Sequence, residues 1–137
     1  MGYRSEVAIL VSFKDTDHRD EVLAAYAMNL KVQAHDVLNQ WKKIDPEGDY
    51  PLLKFYEEGV KWYESYDDVQ AVHHLEHILQ LFAEERGLPY GWLFIRVGEE
   101  DNDVERDESF HDEKEGDNML ECLLDKLSLH QSISLEV

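Results

Sequence analysis

The sequence has a single cysteine, Cys122, and no long apolar run. One cysteine cannot form an intramolecular disulfide, and without a second thiol at CxxC spacing it predicts neither a zinc knuckle nor a redox pair. Arg4, Glu6 and Ser12 interrupt the apolar start of the chain, and nowhere do 18 apolar residues stand together. We therefore expect no signal peptide and no membrane span, and a cytoplasmic location with no membrane partner fits these absences.

Basic residues are also scarce. The chain has 13 Lys and Arg against 31 Asp and Glu, which gives a formal net charge of −18. Repulsion between this charge and phosphate groups disfavours nucleic acid as a direct ligand. The GxSxG, P-loop, GxGxxG and HExxH motifs are absent, so the sequence predicts no catalytic residues and no cofactor. A small enzyme whose carboxylates and histidines assemble only in three dimensions is a further alternative.

The sequence does contain enough apolar material for one folded domain. Hydrophobic residues make up 43% of the 137 positions and aromatic residues 11%. This is a globular composition at a length typical of one domain. We therefore interpret residues 1–137 as a single domain.

Periodicity predicts the elements of the first half of the chain. Residues 3–13 alternate in character, which predicts a first strand. An apolar stripe of helical period extends from Val22 through Ala34 to Ile44, and Pro46 follows it, which predicts one long helix that ends before the proline. Between residues 52 and 63 the inward positions change phase at Gly59. We favour a bulge within one strand over a tight turn between two short strands.

The second half is predicted to contain a helix with capping signals at both ends and two further strands. Ser65 and Asp68 have the spacing of a capping box, and Gly87 is a typical helix end, so we predict a second helix between them. Residues 90–97 are apolar on both faces, which favours an interior strand, and residues 129–137 alternate as a last strand. Residues 119–126 fit either a short helix or a strand.

This order of elements predicts an α+β fold. We expect a mainly antiparallel four-stranded sheet with two helices on one face, in a ferredoxin-like or split βαβ arrangement.

Residues 99–118 form an acidic segment with 11 acidic and two basic residues. Its net charge of −9 is half of the chain's formal charge, and charge blocks of this kind are usually mobile. We expect the segment to be peripheral to folding and to form a partner-binding surface, because clustered carboxylates can substitute for phosphates. The predicted partner-binding residues are Glu99, Glu100, Asp101, Asp103, Glu105, Asp107, Glu108, Asp112 and Glu113. A mobile loop that only keeps the protein soluble is the alternative.

Two patterns are similar to metal sites, and both are incomplete. From Asp101 to Asp112 acids occupy EF-hand-like positions, but Arg106 stands where that loop needs glycine and Asp112 where it needs glutamate. His73 and His77 have the i, i+4 spacing of a metal-binding pair on the second helix, yet a third ligand is missing. We expect both histidines to face solvent opposite the apolar stripe, and we predict no metal.

Three stretches in the same order are GYRSEVAI at residues 2–9, VKWYESYDDV at 60–69 and FIRVGEEDNDVE at 94–105. Together they resemble small uncharacterised proteins encoded by phages and prophages. The resemblance implies a single α+β domain in a viral setting, and it implies no activity. Residues 45–53 and the chain after Asp112 fall outside it.

These observations lead to one main hypothesis and one alternative. We expect a non-enzymatic, phage-derived interaction protein whose acidic surface binds the basic nucleic-acid-binding face of a host protein, as a DNA mimic or an inhibitor of host defence. The alternative is a regulatory domain that binds a small molecule or a metal ion. It would use the open face of the sheet or the histidine face of the second helix.

Overall fold

The computed structural model describes residues 3–30, 37–63, 65–100, 102–129 and 133–135. In chain order the elements are β1 (Ser5–Phe13), α1 (Thr16–Asn29), β2 (Lys42–Ile44), β3 (Leu52–Val60), α2 (Asp67–Arg86), β4 (Tyr90–Gly98), β5 (Val104–His111), α3 (Glu121–Leu124), β6 (Leu127–Leu129) and β7 (Ile133–Leu135). No helix in these ranges is both long enough and apolar enough to cross a membrane.

Five strands form the main sheet in the order β2-β3-β1-β4-β5, and each neighbouring pair is antiparallel. The predicted α+β class is confirmed, and the predicted number of sheet strands is corrected from four to five. β1 lies at the centre because its side chains are apolar on both faces, with Val7 and Ile9 on one and Ala8 and Leu10 on the other. The predicted interior position of residues 90–97 is also confirmed, since β4 pairs with β1 and with β5.

The fifth strand, β5, comes from inside the acidic segment, so the expectation that this segment is peripheral to folding is wrong. Its residues pair with β4 from Val97 and Val104 to Tyr90 and His111. Periodicity does not reveal this strand because it lies at the sheet edge, where six of its eight residues are exposed and no apolar alternation is required. The predicted last strand at 129–137 contributes instead to a separate hairpin of β6 and β7. Residues 130–132 and 136–137 of that prediction lie outside the described residues.

The first helix is shorter than predicted. α1 ends at Asn29, and Lys42–Ile44, the last part of the predicted helix, is the short strand β2 paired with β3. Ala34 of the predicted stripe lies outside the described residues. The prediction failed because Val37 and Trp41 are buried in the same core as α1. Their spacing reflects that burial and not a continuous helix.

The two ends of α2 differ in how well they were predicted. Gly87 has a φ of +67° and donates its N–H to Ala83 O at 2.9 Å, which is the predicted glycine cap. The predicted capping box is wrong, because Tyr66 and not Ser65 is the N-cap residue, and the Tyr66 side chain makes no capping hydrogen bond. Asp68 instead accepts the N–H of the adjacent Val69 at 2.9 Å.

Gly59 marks a bulge in β3, as predicted. Ser5 pairs with Val60 but Val7 pairs with Glu57, so β3 has one extra residue in this interval. Gly59 has a φ of +66°, a conformation that glycine adopts without the Cβ clash of other residues. β3 therefore continues as one strand through the change of phase.

The sheet is covered on both faces. α1 and α2 lie on one face, as predicted, and form the larger core with the sheet. Its largest buried side chains include Phe13, Tyr26, Phe55, Trp92 and Phe94. α3, which settles residues 119–126 as a short helix, covers the other face with the β6–β7 hairpin through Leu123 and Ile133. The sheet face that the sequence left open for a small ligand is therefore occupied.

His18 is a buried titratable residue on the side of α1 that packs against the larger core. It is 3% exposed, and its ring centroid lies 5.3 Å from that of Phe13 and 6.2 Å from that of Phe82. Its Nδ1 accepts the backbone N–H of Lys14 at 3.1 Å. Burial lowers the pKa of His18 to about 4, because the core disfavours the charged imidazolium.

We expect the free energy of unfolding to fall as the pH decreases from about 6.5 to about 4, because in this window the unfolded chain protonates His18 and the folded protein does not. His18→Gln keeps an acceptor for the Lys14 N–H and removes the titration. The pH slope of its stability in this window should therefore be smaller than the parent's by up to about 1.4 kcal/mol per pH unit. Urea unfolding of both proteins between pH 7 and pH 4 measures the slopes, and parallel curves would contradict the assignment.

Candidate functional site

The structure divides the acidic segment into three parts. Residues 99, 100, 102 and 103, called the turn below, lie between β4 and β5, the strand itself covers residues 104–111, and a loop at 112–118 leads to α3. Seven steps along an antiparallel strand span about 24 Å, so the turn and the loop lie at opposite ends of the sheet edge. The predicted partner-binding residues therefore do not form one cluster.

Asp103 holds the turn together. Its carboxylate accepts hydrogen bonds from the Arg96 guanidinium at 3.0 and 3.3 Å and from the Tyr3 hydroxyl. The bonds from Arg96 and then Tyr3 lower the pKa of Asp103, because both favour the carboxylate. Glu99 accepts the backbone N–H of Arg4 at 2.7 Å. Asp103 and Glu99, both predicted to bind a partner, thus form hydrogen bonds within the protein that stabilise this turn.

Glu100 is placed differently in the same turn. Its backbone N–H donates to the Tyr3 hydroxyl at 3.0 Å, while the residue is exposed and forms no ion pair within the described part of the chain. Asp101 lies outside the described residues. Among the described acids of the turn, Glu100 is therefore the one available to a partner.

Along β5 the charged side chains alternate between two faces. Glu105 and Asp107 lie on the same face as α2, and the Glu105 carboxylate is 3.8 Å from Arg96 Nε. Arg106 and Glu108 lie on the opposite face and form an ion pair with each other. Internal pairing therefore balances part of the strand's charge, and Asp107 remains exposed without an ion pair in the described structure.

The charge of Asp107 acts on a second carboxylate, that of Glu76 on α2. Burial, followed by the charge of Asp107, raises the pKa of Glu76 to about 7. Both effects disfavour the ionised carboxylate. Ionisation of Glu76 therefore destabilises the folded protein where α2 packs near the sheet edge.

The loop at 112–118 is ordered by its own acids. Asp117 is 8% exposed, and its carboxylate accepts the N–H groups of Glu113 and Lys114 at 2.7 and 2.9 Å. This local bonding to the backbone is typical of aspartate in turns. Asp112 accepts the N–H of Met119 at 3.2 Å. Asp112, predicted to bind a partner, is therefore engaged in holding the loop.

A cavity of about 640 Å³ lies between this loop, the turn before β3 and α3. We name it the acidic cleft, and its lining residues are Gly48, Asp49, Tyr50, Gly116, Asp117, Asn118, Glu121, Cys122 and Asp125. Lys126 forms an ion pair with Asp49. Glu121 and Asp125 are exposed and form no ion pair in the described part of the chain. The cleft therefore presents uncompensated negative charge on a concave surface.

A second cavity of about 620 Å³ adjoins the acidic cleft and carries mixed charge. It shares Tyr50 and Asp117 with the cleft, and Lys14 and Lys114 line it beside Glu113. Lys14 Nζ lies 3.3 Å from the Glu113 carboxylate. Glu113, another predicted partner-binding residue, is thus balanced within the protein.

Two residues of the acidic cleft, Tyr50 and Cys122, have raised pKa values. Burial and then the charge of Asp117 raise the pKa of the Tyr50 hydroxyl, because both oppose formation of a phenolate. Burial raises the pKa of the Cys122 thiol to about 11. This thiol is therefore protonated at neutral pH and is not an activated nucleophile.

Neither metal pattern forms a site in the described structure. Residues 104–111 are an extended strand that alternates its side chains between two faces, so they cannot form a calcium loop. The prediction that His73 faces solvent is wrong, because its ring centroid lies 5.0 Å from that of Phe94 and 5.9 Å from that of Trp62. His77 is exposed, as predicted. Among the described residues, no group of three or more His, Cys, Asp or Glu is placed to hold a metal ion.

Sequence reasoning missed the acids that line the cleft from outside the acidic segment. The sequence did indicate Glu121 and Asp125, because their i, i+4 spacing places both on one side of a short helix. No sequence pattern indicated Asp49, because a long-range contact brings its turn to α3. The Ser12 hydroxyl anchors this region by donating to Met119 O at 2.7 Å.

A comparison with models of known protein families finds no match for the chain, and neither does a comparison with curated proteins. The resemblance to phage-encoded proteins therefore stays a prediction. A function has to be inferred from the surfaces of the molecule itself.

We expect substitutions of two predicted partner-binding acids, Asp103 and Glu100, to affect thermal stability differently. Asp103→Asn removes the nearer of the two charged partners of Arg96, so the melting temperature should fall by roughly 3–6 °C. Glu100→Gln removes an exposed charge from the same turn and should leave the melting temperature unchanged or slightly higher, because it reduces self-repulsion. Thermal unfolding followed by circular dichroism compares the two variants. Equal losses, or no loss for either variant, would contradict the structural role of Asp103.

Glu76 should make stability depend on pH in the opposite sense to His18. Its folded pKa is raised from 4.5 to about 7, so the folded protein binds more protons than the unfolded chain between these values and stability falls as the pH rises. After allowance for solvent screening, the free energy of unfolding of Glu76→Gln relative to that of the parent should rise by about 1 kcal/mol between pH 4 and pH 8. Chemical unfolding across this range measures the gain, with Glu84→Gln on the exposed side of the same helix as control. A difference that does not change with pH would contradict the prediction.

Proposed function

We propose that this chain is a non-enzymatic interaction protein that binds a basic surface of another protein. The acidic cleft is the observation that carries the proposal. Glu121 and Asp125 at the cleft are exposed and have no basic partner in the described structure, whereas Lys126 balances Asp49. A cationic side chain of a partner would supply the missing opposite charge.

The charge balance of the whole chain supports the same conclusion. Ion pairs among the described residues engage eight carboxylates, against 27 Asp and Glu in the same part of the chain. Negative charge on a concave surface with low-dielectric walls focuses the field and speeds association with a cationic partner. The same charge keeps copies of the chain apart in solution.

The shape of the acidic surface favours an elongated basic partner. The formal charge of −18 over 7895 Å² averages roughly one charge per 440 Å², several-fold sparser than on B-DNA. Charge spread evenly at this density does not imitate the surface of DNA. Acids at both ends of β5, about 24 Å apart, extend the acidic surface along the sheet edge, and a groove that follows a nucleic-acid backbone is likewise elongated and basic.

We infer that the partner is a nucleic-acid-binding protein of a host cell. In this proposal the chain is phage-derived, acts in the cytoplasm, and competes with DNA as a mimic or as an inhibitor of host defence. The alternative, a regulatory domain for a small molecule, is favoured by the volume of the acidic cleft, which falls in the range of small-molecule pockets. Its ligand would be an organic cation.

Affinity capture from a bacterial lysate tests the proposal. The immobilised chain should recover proteins with basic nucleic-acid-binding faces, and both salt and added duplex DNA should release them, because salt screens the charges and DNA competes for the same face. Partners without a basic face, or capture that neither salt nor DNA weakens, would overturn it. Stabilisation by spermidine in a thermal-shift assay, with no captured protein, would favour the alternative.

A matched pair of variants completes the test by asking whether the cleft is the binding surface. E121Q/D125N should slow association with a captured partner by about tenfold at low salt and flatten its salt dependence. The control E84Q/E85Q removes the same charge from the exposed end of α2 and should have a smaller effect. Stopped-flow association at low and physiological salt measures both. Equal effects would show that total charge, and not the cleft, drives binding.

A further inference from the structure

β5 is a terminal strand with an open backbone edge. It has eight residues, and in the described part of the chain no strand pairs with it on the side away from β4. Gly98 donates its N–H to Asp103 O at 2.8 Å, just before the opposed residues Val97 and Val104. In an antiparallel ladder this register directs every second residue of β5 toward β4. The N–H and C=O groups of Arg106, Glu108 and Phe110 therefore point outward, whereas the N–H of Val104 donates to Asn102 O at 3.0 Å.

The opposite edge of the sheet is different. β2 has three residues, and its exposed side chains are those of Lys42 and Lys43. A short, charged edge strand resists pairing with another chain, whereas a long one is a template for an added strand. β5 is long enough for such pairing, so the selectivity of this edge has to come from its side chains.

The two faces of β5 carry different chemistry. The face toward α2 presents the exposed carboxylates of Glu105 and Asp107. On the other face Val104 is 46% exposed and Phe110 is 56% exposed, and the ion pair of Arg106 with Glu108 lies between them. An added strand would thus meet carboxylates on one face and apolar side chains near both ends of the other.

We propose that the outer edge of β5 binds an extended segment of a basic partner as a sixth strand. Lys or Arg at alternate positions of that segment would face Glu105 and Asp107, and apolar residues between them would pack on Val104 and Phe110. Strand addition takes its affinity from main-chain hydrogen bonds and its specificity from alternate side chains. This inference rests on the proposed function, whose basic partner it describes more closely.

A second copy of the chain fits this edge less well. Antiparallel pairing of β5 with itself about Asp107 would set Arg106 opposite Glu108 twice, but it would also place two Asp107 side chains opposite each other and bring together two chains with a formal charge of −18 each. Like charges directly opposite in a sheet are destabilising. Charge complementarity therefore selects a basic strand as the occupant.

Three peptides test whether the outer edge of β5 accepts an added strand. The probe is an eight-residue peptide of alternating Lys and Val, with its ends blocked. The added strand is taken as antiparallel, like every other neighbouring pair in this sheet. In this pairing the valine N–H groups face β5 and the lysine N–H groups face away, because residues on the apolar face bond to the outward-pointing residues of β5. N-methylation of the valines should weaken binding by at least about tenfold, whereas N-methylation of the lysines should change it little. Isothermal titration at low salt compares the three, which have the same charge.

Variants of the protein provide the reciprocal measurement. Glu108→Pro removes an outward N–H from an edge strand, where proline is tolerated, and should weaken the unmodified peptide by about tenfold relative to the charge-matched Glu108→Gln. Equal binding of all three peptides would overturn strand addition and leave the proposed acidic interaction intact. Absence of binding by every peptide would contradict both. A dimer in sedimentation velocity that E108P dissociates would assign the edge to a second copy and overturn the proposal.

Discussion

Because β1 is bonded to β3 on one side and to β4 on the other, and its side chains are apolar on both faces, the sheet has to be covered twice. α1 and α2 form one cover, and α3 with the β6–β7 hairpin forms the other. The second cover determines the candidate site, since it brings the loop at 112–118 and the turn around Asp49 to the same side of the molecule. The acidic cleft is therefore a consequence of how the second sheet face is buried.

The negative charge of the chain has two roles that the structure separates. Some carboxylates hold local structure: Asp103 bonds Arg96 and Tyr3, and Asp117 caps the backbone of its own loop. These bonds involve half-buried or buried groups and should contribute more than the exposed ion pairs, which typically contribute little. Other carboxylates, such as Glu100, do not bond a base within the described structure and add to self-repulsion. A basic partner would relieve that repulsion.

The loop at 112–118 connects the two proposed binding features. β5 ends at His111, and the loop that follows it leads directly to the acidic cleft. A segment added along β5 could therefore continue past this end of the strand and place a cationic side chain in the cleft. Backbone bonding along the edge and charge attraction at its end would then act on one partner, which links the elongated acidic surface to a single interface.

Periodicity and turn chemistry in the sequence by themselves determined β1, the interior β4, the bulge at Gly59 and the end of α2 at Gly87, because each depends on local backbone geometry or on burial of both strand faces. The tertiary structure alone decided that Val37 and Trp41 follow a shorter helix, since apolar spacing records burial and not continuity. It also decided that β5 is a strand, because an exposed edge strand needs no apolar alternation. Composition set the net charge, but through-space pairing with Arg96, Lys14 and Lys126 decided which acids remain for a partner.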